Sequence, residues 1–498
     1  MLKKTLQLNL ALMVALAATV PAFADAINSS NDGRDIAGGT YYNTSGQQTT
    51  FYNSSNGGLW LHSGQTVRGL EVDAVGNPTG NGGSILLNAP GAVVRLDGNI
   101  DVNALRSGSA YVGNGGNVQI NAGYLYQNGN IFASGSNGGA VNMNVGAAMF
   151  GATSSIQAMG ETGKGGSINI NANSGTVDIK QGARLFTKGQ TDLGLNANVI
   201  TVQGGLVNNN GIIKAAGMEG FGQDGGKIVL RATGPADSNA IALINANAGG
   251  PTSIFTAAEA TAATGSISSY VSNVNLNGSV KNDAKGQVSA DGSSDNLLTS
   301  DFGGGNGGSI EMISGNGVFN NGYISSLGGV GTYGDGGNGG NVTLTATKNV
   351  SNGGVVRVAG GNGGDIGRID TMATTNLAIT DDATIDAILA TGGDGGNGGN
   401  ITVNTANFNN TANAQMNANG GAGGTGDVAG GEGGDGGSIN LNTTNRSNND
   451  GSLYANGGND GREGTAPVAG QGGTGGSVTS TTPVTGSGQT QTYSGNGN

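Results

Sequence analysis

Of 498 residues, 102 are Gly, only 4% are aromatic and only 10% are charged. A typical globular domain carries roughly 7% Gly and 25% charged residues, so most ordinary enzyme architectures are excluded, while 35% apolar content, regularly spaced, is too much for a disordered tail. The absence of Cys removes disulfides, thiolate metal sites and a Cys nucleophile, and 7 Pro with Gly following no three-residue period exclude collagen.

Residues 1–24 read as a secretory signal peptide: Lys3 and Lys4, an apolar stretch from Leu6 to Val20, then Ala22-Phe23-Ala24 before Asp25. The apolar stretch is short for a bilayer span, and no second one follows. Cleavage leaves 18 basic against 32 acidic residues, a formal charge of −14. Duplex nucleic acid is repelled by that sign, so it is not an expected partner. Acidic loops make Ca²⁺ possible without indicating it, and no other cofactor is expected.

Residues 25–75 hold Tyr41, Tyr42, Phe51, Tyr52 and Trp60, a large share of the aromatics. They are read as an N-terminal cap in which Leu59, Trp60 and Leu61 plug the end of a core. An aromatic glycan-stacking site is the functional alternative. His62 is the only histidine, so a Ser-His-Asp triad or a His-based zinc site has at most one possible centre.

From residue 76 to 480 one phrase recurs: a polar residue, Gly-Gly, a small or polar residue, then apolar side chains at alternate positions. Asn81-Gly82-Gly83-Ser84-Ile85-Leu86-Leu87 and Asn114-Gly115-Gly116-Asn117-Val118-Gln119-Ile120 are two copies. Others place the pair at Gly138-Gly139, Gly165-Gly166, Gly225-Gly226, Gly307-Gly308, Gly339-Gly340, Gly398-Gly399, Gly436-Gly437 and Gly475-Gly476. Apolar residues two apart lie on one face of a strand, not on a helix. The long gaps after Gly166, Gly226 and Gly340 are read as places where a copy has drifted or a rung lacks the phrase, Gly363-Gly364-Asp365-Ile366 filling one of them imperfectly. A second phrase, as in Asn210-Gly211-Ile212 and Asn321-Gly322-Tyr323, predicts a tight corner that exploits positive φ before another short strand. Each repeat therefore holds at least two strands, and stacking about 4.8 Å apart gives each backbone a partner above and below. The expected fold is all-β: a right-handed parallel β-helix (β-solenoid) with Gly-rich loops and an N-terminal cap, in roughly 13 to 16 rungs.

These alternating Gly-x-Ile-x-Ile-x-Ala strands and Asn-x-Gly coils resemble the β-helices of filamentous-haemagglutinin-type exoproteins and autotransporter passengers. Asn77-Pro78-Thr79-Gly80 is similar to turns in the secretion domain of the two-partner family. The resemblance implies export to the cell surface, by a dedicated outer-membrane transporter in the two-partner case, and adhesion.

Beyond Leu327 the loops lengthen, at Gly331 to Gly340, Gly392 to Gly399, Gly420 to Gly437 and Gly457 to Gly476. Stacked along one edge they are the candidate interaction surface; merely mobile loops are the alternative. Residues 481–498 read as a loose polar tail. Asp370, Asp381, Asp382 and Asp386, with Arg357 and Arg368 nearby, imitate a sugar-cleaving carboxylate site, although Asp381-Asp382 falls where a turn is due. Gly360 to Arg368 approximates a calcium nonapeptide but puts Gly where an apolar residue belongs. No Gly-rich loop carries Lys-Ser or Lys-Thr before a helix, so a phosphate cradle is absent. No catalytic, cofactor or metal residue is assigned. The expectation is a non-catalytic adhesive or structural solenoid whose partners are a cell surface, a glycan or further copies of itself, with a self-assembling matrix subunit and a polysaccharide-active enzyme as alternatives.

Overall fold

A computed structural model describes residues 27–28, 34–52, 58–190, 198–218, 223–233, 279–294, 303–332, 334–364, 393–426, 429–461 and 470–496. Among them there is no helix, and parallel strands stack coil upon coil into a β-solenoid. A coil is built from three strand segments, of which the first two run on as one strand in Asn117–Gln127, Ala140–Phe150, Asn400–Asn410 and Ser438–Asn449. Ser309–Ser314 bends into Gly317–Asn320, which turns at Asn321-Gly322 into Tyr323–Ser325. The next coil repeats this as Asn341–Ala346, Asn349–Asn352 and Val355–Arg357. Like residues meet: Ile310 lies opposite Val342, Val318 opposite Val350 and Ile324 opposite Val356.

Alternation places one set of side chains in a continuous core, where Ile310, Leu344, Val403, Ile439 and Leu453 are wholly buried. Each such residue stabilises the fold by about 1.5–3 kcal/mol relative to exposure. The second Gly of the repeated pair enters the first strand and lies against the same position one coil earlier. A Cβ on Gly340, Gly399, Gly437 or Gly476 would come closer than 3.0 Å to the carbonyl oxygen of Gly308, Gly340, Gly399 or Gly437. Close approach, not backbone conformation, fixes these residues as Gly.

The corners differ from expectation in the same way. Gly322 and Gly451 do not have positive φ; a Cβ at Gly322 would meet the Asp283 and Gly286 carbonyls, and one at Gly451 the Ala414 carbonyl. The Asn preceding this turn serves a separate purpose. Asn209, Asn282, Asn320, Asn352, Asn410 and Asn449 form a buried ladder, each Nδ2 donating to the next Oδ1 at 2.8–2.9 Å. Satisfied on both sides, a buried amide avoids the ~1–3 kcal/mol penalty of an orphaned polar group.

The long gaps have two origins. Between Gly166 and Gly226 a full coil intervenes, with Asn198 at φ 59° where the Gly would stand. Strands Lys227–Ala232 and Ser309–Ser314, by contrast, are direct neighbours, as are Asn341–Ala346 and Asn400–Asn410. Those gaps are insertions into one coil, not drifted copies. Gly363 and Gly364 belong to a loop arm, not to a missing first strand.

Near the N-terminus, Gly39–Thr44 pairs with Thr66–Val72 and Thr49–Tyr52 with Ser84–Leu96, so the aromatic-rich segment already follows the solenoid register. Leu59 and Leu61 fill the core, but Trp60 points outward between them. At the other end, Val484–Thr485 and Gln489–Gln491 pair with Ser438–Asn449 and Ser452–Tyr454. The segment from 481, expected to lie loose, builds the last coil.

Candidate functional site: the glycine-rich slab

Between the third strand of one coil and the first of the next, the chain runs out along one arm and back along another. Within these arms Gly does follow a three-residue period, against the reading of the whole chain: Gly336-Gly337-Asn338-Gly339-Gly340, Gly395-Gly396-Asn397-Gly398-Gly399 and Gly433-Gly434-Asp435-Gly436-Gly437. Exposure repeats with the same period, Gly337 buried, Asn338 exposed, Gly339 intermediate and Gly340 buried. Three residues per turn is the period of an extended polyproline II-type chain, which makes no internal hydrogen bonds and offers all of them to neighbours.

The neighbours take them. The Gly337 N–H donates to the Gly329 carbonyl at 2.9 Å, Gly361 to Gly337 at 2.8 Å, Gly396 to Gly361 at 2.8 Å, Gly421 to Gly396 at 2.8 Å and Gly434 to Gly421 at 2.8 Å. The zigzag continues through Gly458 and Gly473 to Gly495. Outgoing and returning arms thus knit into a slab that projects from the coils. A Cβ at Gly361, Gly396 or Gly434 would strike the carbonyl of Gly329, Gly337 or Gly396, its counterpart in the same arm one coil earlier.

Every third residue carries a side chain to the slab's surface. There Asn306, Asn338, Asn397 and Asp435 form a row in which each Oδ1 accepts the backbone N–H of the following row member, ending on Thr474, at 2.7–2.8 Å. Asp335 and Asp394 do the same for Asp394 and Glu432 at 2.9 and 2.7 Å. Asp435 also accepts from the Thr474 hydroxyl; the Thr474 side chain and backbone N–H together hold its carboxyl below the usual range. These carboxylates and amides are hydrogen-bond acceptors for the stack. Among the described residues no group of three or more His, Asp or Glu is arranged to hold a metal.

The residues singled out from sequence fare differently. Asp370, Asp381, Asp382, Asp386 and Arg368 lie outside the described residues, as do residues 1–24. Arg357 is the exposed last residue of a third strand, and its carbonyl accepts the Ser326 N–H. His62 Nε2 pairs with Asp35 Oδ1 at 2.7 Å, and its ring stacks on Trp60 at 3.8 Å. The Trp60 indole N–H donates to Asp97 at 2.9 Å, and the Arg95 guanidinium lies 4.7 Å from its ring. Protein groups therefore already engage the indole that the glycan-stacking alternative requires. Sequence reasoning missed the slab's own bonding; its signal was the local Gly-Gly-x period.

Compared with known proteins, the chain matches no family model, no curated protein and no solved structure.

Proposed function

We propose that this protein is a non-catalytic, adhesive or structural solenoid of the bacterial cell surface, exported through residues 1–24 and binding through the edge of the Gly-rich slab. The ordered slab carries this reading: long loops that pay the entropy of holding so many Gly fixed present a regular row of short polar groups over many coils. Such a surface suits low-affinity, repeated contact with a glycan coat or a neighbouring cell. The finer resemblance to filamentous-haemagglutinin-type exoproteins supports surface export, with a dedicated outer-membrane transporter as partner in the two-partner case.

Three measurements test it. Antibody labelling of intact cells should detect the protein outside; retention in the cytoplasm overturns the assignment. Purified protein carrying both Glu432→Lys and Gln471→Lys, two exposed slab positions, should adhere to cells about tenfold more weakly with unchanged dichroism. Undiminished adhesion removes the slab edge as the binding surface, and large polymers in sedimentation velocity favour a matrix subunit instead.

A further inference from the structure

A second feature lies away from the slab, at the corner where first strands bend into second strands. A groove of about 650 Å³ crosses the coils that begin at Lys227, Ser309, Asn341, Asn400 and Ser438. At about 4.8 Å per coil its length is roughly 19 Å.

The floor is a row of small buried residues, Ala232, Ser314, Ala346 and Thr405. Its hydroxyls are already engaged: Ser314 Oγ accepts the Asn316 N–H at 3.0 Å, and Thr405 Oγ1 donates to the Asn407 carbonyl at 3.3 Å. What the floor offers is methyl and methylene surface. One wall is the in-register outward row Arg231, Ile313, Thr345, Asn404 and Asn442. Past the corner, Thr233, Gly315, Thr347, Ala406 and Thr444 complete the lining.

The wall amides are pre-positioned. Asn442 Nδ2 donates to Asn404 Oδ1 at 2.9 Å, and Asn404 Nδ2 donates to Thr345 Oγ1 at 3.3 Å. A carboxamide has two N–H donors and two lone pairs, so each amide keeps a donor and an acceptor for a ligand. Fixed amides and hydroxyls over an aliphatic floor match the two chemistries of a sugar, hydroxyl edges and C–H faces. A row repeated at one coil's spacing suits a ligand that repeats along the axis.

We propose that this groove binds an extended, β-linked linear glycan lying along the solenoid axis. Arg231 is exposed at one end, and the nearby Lys227 and Glu311 neutralise each other at 2.7 Å. That end therefore favours a single acidic sugar, whereas the chain's net charge of −12 disfavours a polyanion. The inference concerns a different face from the slab and stands or falls separately from adhesion by the loop edge.

Calorimetric titration of the full-length protein with linear β-linked hexasaccharides of glucose and of N-acetylglucosamine, each neutral and as its end-oxidised aldonic acid, tests the assignment. At least one sugar should bind, its acid form about fivefold more tightly than its neutral form. Arg231→Gln should erase that preference and keep neutral binding. Thr347→Trp, which fills the groove, should abolish both, and Asn404→Ala should weaken both about tenfold. No binding of any hexasaccharide, or titration curves unchanged by Thr347→Trp in a protein with native dichroism, overturns it.

Discussion

At the scale of single residues, side-chain volume at the coil-to-coil interface decides which positions must be Gly. Gly399 has no room for a methyl group against the Gly340 carbonyl, whereas a Cβ at Gly315 would meet nothing within 4 Å. Gly399→Ala is therefore expected to cost about 3 kcal/mol by forcing neighbouring coils apart. Gly315→Ala should be neutral or stabilising by about 0.4–1 kcal/mol, because φ there is not positive and the unfolded chain loses freedom. Urea denaturation of the two variants checks the contrast; equal destabilisation would mean that packing against the previous coil is not what selects Gly. The sequence marks Gly399 as the second Gly of a recurring phrase and Gly315 as an isolated Gly. The repeat shows that the position recurs, but the cause, a carbonyl of the previous coil facing the missing Cβ, was not legible because that neighbour lies tens of residues away. The Asn209-to-Asn449 ladder was equally hidden: a corner Asn reads as a turn former, and its hydrogen bonds run to residues tens of positions away.

At the scale of the coil, the alternating apolar phrase was legible because strand geometry acts over two residues. The number of strands per coil and the insertions were not, because pairing partners are set by the stack. The last coils also show what fastens one turn to the next. Asp435 and Asp450 accept hydrogen bonds from Thr474 and Ser487 of the following coil, and the Ser487 backbone N–H with the Asn448 amide holds the Asp450 carboxyl below its ordinary value, as Thr474 does for Asp435. A carboxyl whose folded value lies below its unfolded one contributes stability fully present above the unfolded value of 3.8. That contribution is lost as pH falls through the folded value. Acidification from pH 6 to below 3.8 should therefore loosen residues 470–496 before the central coils. Hydrogen exchange pulsed at each pH reads this directly, after correction for intrinsic rates; simultaneous loosening of the centre would rule out the two carboxylates as the acid-sensitive fasteners.

Over the whole molecule, stability accumulates coil by coil, so a segment that leaves and re-enters the same coil contributes little to the stack. At Gly364 and Gly393 the chain leaves and re-enters one coil: the Gly393 N–H bonds to the Gly364 carbonyl at 3.1 Å, and the slab bonds of Gly361 and Gly396 continue on either side. Another loop turns between Gly424 and Gly431, joined by the Gly431 N–H and the Gly424 carbonyl at 2.9 Å. Replacing 365–392 by a linker the length of 425–430 should shift the thermal midpoint by no more than about 2 °C. A larger loss would show that the insertion supports the solenoid. The same variant removes Asp370, Asp381, Asp382 and Asp386 without disturbing the coil that carries them. If the full-length protein releases reducing or unsaturated sugars from a polysaccharide and the shortened one, still folded, does not, then the carboxylates of this insertion form a catalytic site and the non-catalytic reading is wrong. If the two proteins adhere alike and neither cleaves, function resides in the repeated surface, where the slab and the groove are built.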